Sequence, residues 1–184
     1  RRGGRLGWSS AGVVVFYGQW AYKLNAPERA CTFIHHLAEY LGPSLEDLLL
    51  LTVAGDMGGA STQNTALATE LISYTPPLAS SRDDTKKVVR QLCEQKVDLI
   101  VFVGGDGTAR DVCDVLPENQ AALGVPAGVK MHSGVYAVNP QSAAEVVNLL
   151  VQGELVNLDR QEVRDIDEQA FRQNIVKSRY YGDM

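Results

Sequence analysis

Between Val101 and Asp111 the chain reads VFVGGDGTARD, with three glycines around a single aspartate, Asp106, and a threonine, Thr108, directly after them. Glycine lets a backbone approach a phosphate without a Cβ clash. The free N–H groups at the start of a following helix favour anions. Gly104, Gly105, Gly107 and Thr108 therefore form a candidate polyphosphate cradle. It is neither a GxxxxGK[ST] loop nor a GxGxxG loop. The aspartate is the informative departure, because a bare carboxylate repels phosphate. Asp106 in such a turn is expected either to hold Mg²⁺ between itself and the phosphates or to accept a proton from an attacking hydroxyl. The bland alternative is a tight reversing turn. Its place between an apolar run and a helical stretch argues against that. Thr108 to Asp111 also fits a capping box, with Thr108 capping the helix and Asp111 at its third position.

A second candidate loop, Pro126 to Gly134, reads PAGVKMHSG after a short apolar stretch. It is expected to open at the same sheet edge as Asp106. Lys130 there suits a point charge on phosphate, and His132 and Ser133 suit hydrogen bonds to a nucleotide. A solvated lysine with local turn bonds is the competing reading. Asp56, in a glycine loop, and Thr85 are weaker pocket candidates, and Asp84 reads as a helix cap. Asp165 and Asp167 fit a solvated turn better than a metal site. His35 and His36 read as helix-surface residues. Cys31, Cys93 and Cys113 are expected to be reduced, buried thiols. No pair of these cysteines has metal-ligand spacing.

The elements that must position these residues follow from period and punctuation. Residues 1–25 have no clear period and are expected to form a loop. Pro27 to Leu41 reads as a helix capped by Asn25 and closed by Gly42-Pro43, with Ala30, Phe33, Ile34, Leu37 and Leu41 on one face. Leu48 to Val53 is a continuous apolar run that suits a strand buried on both faces. Glu70 to Thr75 is a weaker strand. Ser81 to Asp84 matches a capping box before a helix reaching about Lys96, and Val97 to Val103 reads as a central parallel strand. A helix from Ala109 to Leu116, a strand from Ala121 to Val125 and a helix from Asn139-Pro140 to Gly153 follow. Leu155 to Val163 and Ile175 to Tyr181 read as strands. Alternating strands and helices imply an α/β fold with a parallel sheet covered on both faces. The alternation stops near Gly153, so a domain change is expected there: residues 1–153 as the nucleotide-binding domain lacking its first strand, and 154–184 as the start of a truncated β-rich domain. The last strand-like stretch is expected to lack a neighbour.

Composition narrows the function classes. Of 184 residues, 45% are hydrophobic and 21% charged, which suits a folded globular chain. The net charge of −5 argues against nucleic acid, whose phosphates reward a basic surface. No apolar run approaches the roughly 18 residues of a membrane span. With no signal-peptide pattern, a cytoplasmic location is expected.

GGDGT after such a strand resembles a kinase superfamily that includes NAD kinases, lipid kinases and phosphofructokinases. GGDGTARD, the continuation LGVPAGVKMHSGVYAVNPQSAAEVV, AGDMG at Ala54 to Gly58, DDT at Asp83 to Thr85, and APERA at Ala26 to Ala30 narrow the resemblance to the ATP-NAD kinase-like family. EVRDIDEQAFR, Glu162 to Arg172, resembles that family's entry into a β-rich second domain. The resemblance implies phosphate contacts from Gly104, Gly105, Gly107 and Thr108, with Asp106 as the catalytic acidic residue. The implied reaction moves a phosphoryl group from ATP or polyphosphate, with Mg²⁺ bridging the phosphates, to the 2′-hydroxyl of NAD. It also implies a homo-oligomer for the intact protein. Alternatives are a related kinase for a lipid or small hydroxy compound, and a nucleotide-binding regulator that no longer transfers phosphate.

Overall fold

The computed structural model describes residues 11–17, 25–77, 80–128, 131–154, 157–166 and 177–184, with the backbone alone for 11–17 and 166. In chain order the elements are β1 (Ala11–Tyr17), α1 (Ala26–Leu41), a 3₁₀ segment (Gly42–Asp47), β2 (Leu48–Thr52), a 3₁₀ turn (Gly55–Met57), the single turn α2 (Gly59–Thr62) and β3 (Ala68–Leu71). Then come α3 (Arg82–Glu94), β4 (Leu99–Gly104), α4 (Asp106–Cys113), β5 (Ala121–Pro126), α5 (Pro140–Val151), β6 (Glu162–Ile166) and β7 (Ser178–Asp183). β1 to β5 form one sheet in the order β3-β2-β1-β4-β5, and every pair in it is parallel.

β1 corrects the expectation of a loop over residues 1–25 as far as residues 11–17 are concerned. Residues 11–17 occupy the centre of the sheet, paired to β2 on one edge and β4 on the other. A strand of this kind reads as a short apolar run, here Val13-Val14-Val15-Phe16, without the alternation that a period search detects.

Two apolar layers cover the sheet. Leu99, Val101 and Val103 of β4 pack with α1 and α5, while Ile100 and Phe102 pack with α3 and α4. Strand alternation sends neighbouring side chains to opposite faces, and all six residues of β4 are buried. Each fully buried Val, Leu, Ile or Phe contributes roughly 1.5–3 kcal/mol, so β4 is anchored from both sides. The predicted helix face Ala30, Phe33, Ile34, Leu37 and Leu41 is buried as expected. β2 is fully buried on only one face, at Leu48, Leu50 and Thr52.

The chain leaves β1 toward one edge through α1 and β2, then returns through α3 to β4 on the other side of β1. The strand order therefore reverses between β1 and β4. Ligands of open α/β sheets bind at that reversal, outside the carboxyl ends of the strands. The turn that leaves β4 there is the glycine-rich segment at Asp106.

β6 and β7 pair antiparallel, with a register shift between Val163 and Arg164. The final stretch thus has a neighbour, contrary to expectation, and both strands lie later than the sequence placed them. The ribbon lies against α4, and Val163 joins the core on that side. Among the described residues no helix is long and apolar enough to cross a membrane.

Candidate functional site

Strand β4 ends at Gly104, Gly105 takes the helix N-cap position in an extended conformation, and α4 starts at Asp106. The N–H groups of Thr108 and Ala109 both bond to the Gly105 carbonyl, at 2.8 and 3.1 Å. Asp106 is thus the first helical residue and Thr108 the third. This overturns the capping box expected at Thr108–Asp111. No side chain caps α4. The pattern T-A-R-D was satisfied by sequence alone, but Gly104-Gly105 start the helix one turn earlier.

The glycines divide into two kinds. A Cβ on Gly104 would lie 2.3 Å from Thr108 Oγ1 and 2.6 Å from its Cβ. Gly104 is needed for internal packing, and Thr108 is 1% exposed with its hydroxyl unpartnered among the described residues. Gly105 faces open space, with nothing within 4 Å of an added Cβ. Gly105 and Gly107 are half-buried, whereas Gly104 is buried, so they are the glycines of the turn that solvent reaches.

Asp106 is 8% exposed, and its carboxylate is held by the segment after β5. Oδ1 accepts the Ser133 N–H at 3.1 Å and lies 2.7 Å from Ser133 Oγ. Oδ2 accepts the His132 N–H at 2.8 Å and lies 3.0 Å from His132 Nδ1. A carboxylate offers about four lone-pair positions, and four groups occupy them here. Ser133 Oγ also accepts the Arg164 N–H at 3.0 Å, and the Gly134 N–H donates to the Glu162 carbonyl at 2.9 Å. The segment 132–134 is therefore stitched to Asp106 on one side and to β6 on the other.

Tyr136 braces the same turn, and sequence reasoning missed it. Its hydroxyl donates to the Gly105 carbonyl at 2.5 Å, and its ring meets Phe102 edge-on at 5.5 Å between centroids. Burial and then the Asp106 charge push this phenol well above its ordinary pKa, so it stays a donor. Gly124 makes the seat: a Cβ there would lie 2.4 Å from the Tyr136 ring. A glycine inside a strand is the one local signal of such a close approach.

Beside this cluster lies a cavity of about 350 Å³ lined by Arg29, Pro126, Gly128, Met131, Ser133 and Tyr136 among others. That volume is within the range of small-ligand sites. Arg29 enters from the first turns of α1 and was not singled out in the sequence.

The other candidates separate. Lys130 and Asp167 lie outside the described residues. Ser133 and His132 come to Asp106 as partners of its carboxylate. Asp56 is exposed in the turn after β2. Thr85 is fully buried in α3 with its hydroxyl unpartnered among the described residues. Asp84 closes the α3 capping box with Ser81, as expected. Asp111 is a structural ion-pair centre: its side chain is 3% exposed, with Arg82 Nη2 at 2.9 Å and Arg110 Nε at 3.7 Å. Asp165 is bonded to Arg110 at 2.9 Å rather than solvated. His35 and His36 pair with Glu39 on the surface of α1. The cysteines are free, but Cys31 is exposed and Cys93 and Cys113 are half-buried, which corrects the expectation of buried thiols.

Among the described residues no group of three or more His, Cys, Asp or Glu side chains is placed to hold a metal ion. Asp106, with its lone pairs engaged, does not fit a direct Mg²⁺ ligand in this arrangement.

Residues 23–155 match the family model described as the ATP-NAD kinase N-terminal domain. No curated protein and no solved structure gives a significant match. The matched residues run from before α1 past the end of α5, and include the glycine turn, Asp106 and the segment that holds it. They make up more than half of the chain, and the chain belongs to the ATP-NAD kinase family, whose chemistry is kinase-type phosphotransfer on nucleotide substrates.

Proposed function

We propose that the protein transfers a phosphoryl group from ATP or polyphosphate to the 2′-hydroxyl of NAD, giving NADP. The observation that carries this reading is a buried carboxylate, Asp106, at the strand-order reversal, inside a glycine turn and held by four hydrogen-bonding groups. A negative charge fixed at the start of a helix is stabilised by the helix dipole. In the proposed reaction it would face the acceptor hydroxyl as the terminal phosphate of the donor approaches the glycine turn.

Phosphoryl transfer needs positioning and charge stabilisation more than covalent chemistry from the protein. Gly105 and Gly107 give the donor phosphates a close approach to backbone. The cavity beside Ser133 offers room for part of the nucleotide, with Arg29 as its cation. Lys130, Thr108 and Ser133 complete the proposed phosphate-side set, Thr108 and Ser133 from beneath the surface. Mg²⁺ enters by family resemblance alone. Among the described residues no group of three or more His, Cys, Asp or Glu side chains gathers to hold an ion by protein alone, and no step is routed through one.

The test is NADP formation by the purified chain with Mg²⁺ and either ATP or polyphosphate, run beside Asp106→Asn. NADP from wild type and its loss in the variant support the assignment, and the better donor is identified by the same assay. No NADP with either donor, from folded protein that binds ATP, sinks the NAD assignment and leaves another hydroxyl acceptor.

A further inference from the structure

Strand β6 is bonded along both edges. On one edge it pairs with β7: Gln161 and Met184 exchange backbone bonds at 2.8 and 3.1 Å, and Val163 lies opposite Gly182. Bonded and non-bonded positions alternate in an antiparallel pair, so Glu162 and Arg164 turn their backbone groups to the other edge. That edge meets the loop after β5. The Glu162 carbonyl accepts the Gly134 N–H at 2.9 Å. The Arg164 N–H donates to Ser133 Oγ at 3.0 Å, and the Arg164 carbonyl lies 2.9 Å from the same oxygen. Ser133 Oγ is also 2.7 Å from Asp106 Oδ1. One buried hydroxyl thus has β6 on one side and the carboxylate on the other. The ribbon is in turn fixed on α4, the helix that Asp106 begins. Val163 is fully buried against that side of the sheet, and Asp165 accepts from Arg110 Nη1 at 2.9 Å. At the register shift Arg164 faces Tyr180, so Tyr181 is the extra residue of β7. Its ring lies against the Arg110 guanidinium, 5.3 Å from the centroid. Bulges re-aim side chains in this way and are frequent beside active sites. All of this lies beyond residues 23–155, the part of the chain that matches the family model.

We propose that strand β6 positions the Asp106 carboxylate for phosphotransfer, with Ser133 as the positioning residue that links the two. This rests on the phosphotransferase reading above. Ser133 touches no substrate in this role. Its hydroxyl takes its place from the Arg164 backbone and sets the direction of the Asp106 side chain within the glycine turn. The Arg110–Asp165 pair keeps β6 at a fixed distance from α4, so the carboxylate and its support move together.

The experiment has two arms. In the first, NADP formation is measured for Ser133→Ala, Asp165→Asn and the double variant. Asp165→Asn weakens the hold of the ribbon on α4 and leaves Asp106 and Ser133 in place. Ser133→Ala is expected to lower kcat by about 3–10-fold, the scale of one buried hydrogen bond, with little change in KM for NAD. Asp165→Asn is expected to lower kcat by about 2–3-fold, and the double variant to match Ser133→Ala, because effects that run through one shared contact do not add. A folded Ser133→Ala with wild-type kcat overturns the inference, and so do two losses that multiply in the double variant. The second arm needs no substrate and decides the matter if Ser133→Ala does not fold. Hydrogen exchange is followed at the His132 and Ser133 amides, both bonded to Asp106, in the full chain. Asp165→Asn is expected to speed exchange at these two by about tenfold while the amides of β4 keep their wild-type rates. Unchanged exchange at His132 and Ser133 overturns the inference whatever the acceptor proves to be. If exchange behaves as expected but wild type makes no NADP, the acceptor assignment has failed and the link has not. The first arm is then repeated on ATP hydrolysis, where the same losses support the link and an unchanged rate in Ser133→Ala overturns it.

Discussion

Helices α3 and α4 lie side by side on one face of the sheet, and each carries a carboxylate in its first turn. Asp84 spends its charge on its own helix. It accepts the Ser81 N–H at 2.7 Å and the Ser81 hydroxyl at 2.6 Å, and it takes the Tyr74 hydroxyl as well. Asp106 makes no such local bond. Its partners are His132 and Ser133, 26 and 27 residues further along the chain. The first carboxylate closes a helix end, and the second leaves its helix uncapped to fix a loop from another strand. A carboxylate that gives up a local cap for distant partners is a mark of a site rather than of a fold.

The largest expected effect tests that distinction directly. Asp106→Asn should lower phosphotransfer by about 10²–10⁴-fold while the far-UV spectrum stays native. The carboxamide also turns a donor toward donors, so a stability loss of about 1–3 kcal/mol should appear in urea unfolding. Unchanged NADP formation would place Asp106 with Asp84 among structural carboxylates.

Gly104→Ala and Gly105→Ala form the next pair. The first forces a methyl into Thr108 and should cost about 1–3 kcal/mol of stability. The second meets open space and should change stability by less than about 0.5 kcal/mol, while weakening the donor through its KM. Equal stability losses would show that the two glycines are not divided as described.

Ser81→Ala removes a cap and should cost about 1 kcal/mol, with kcat unchanged. A fall in kcat would tie the α3 cap to the chemistry after all.

The smallest effect is a pH dependence. The Ser81 and Tyr74 hydrogen bonds hold the Asp84 carboxyl below the usual carboxylate range. Its contribution to stability is therefore complete above the unfolded-state value and is lost as pH falls through the folded one. Tyr74 has the opposite sense: burial, then the bond to Asp84, push it up to about 12, so its contribution fades as pH rises through that value. Urea midpoints across the acid range should drop less steeply in Asp84→Asn than in wild type.

Much of the positioning frame was legible because its causes are local. The helix face from Ala30 to Leu41, the box at Ser81–Asp84, the Asn139 cap that accepts the Ser142 N–H, and the apolar run of β4 are set by neighbours a few residues apart. β1 was not legible, since the pairing of 11–17 with two strands far along the chain leaves no periodic trace. Nor was the true start of α4, where the T-A-R-D pattern competed with the glycine turn and lost.

By itself the sequence determined the α/β alternation, the family, and Asp106 as the charge in the glycine turn, because strand runs, caps and a dense short motif are written in consecutive residues. Only the tertiary structure decided what surrounds that charge. His132 and Ser133 meet Asp106 because β4 and β5 are parallel neighbours whose carboxyl ends open at one edge. Tyr136 reaches Gly105 because Gly124 has no side chain to block its ring. Such contacts join residues some twenty to thirty positions apart, and their geometry exists only once the sheet has set the distance between the loops.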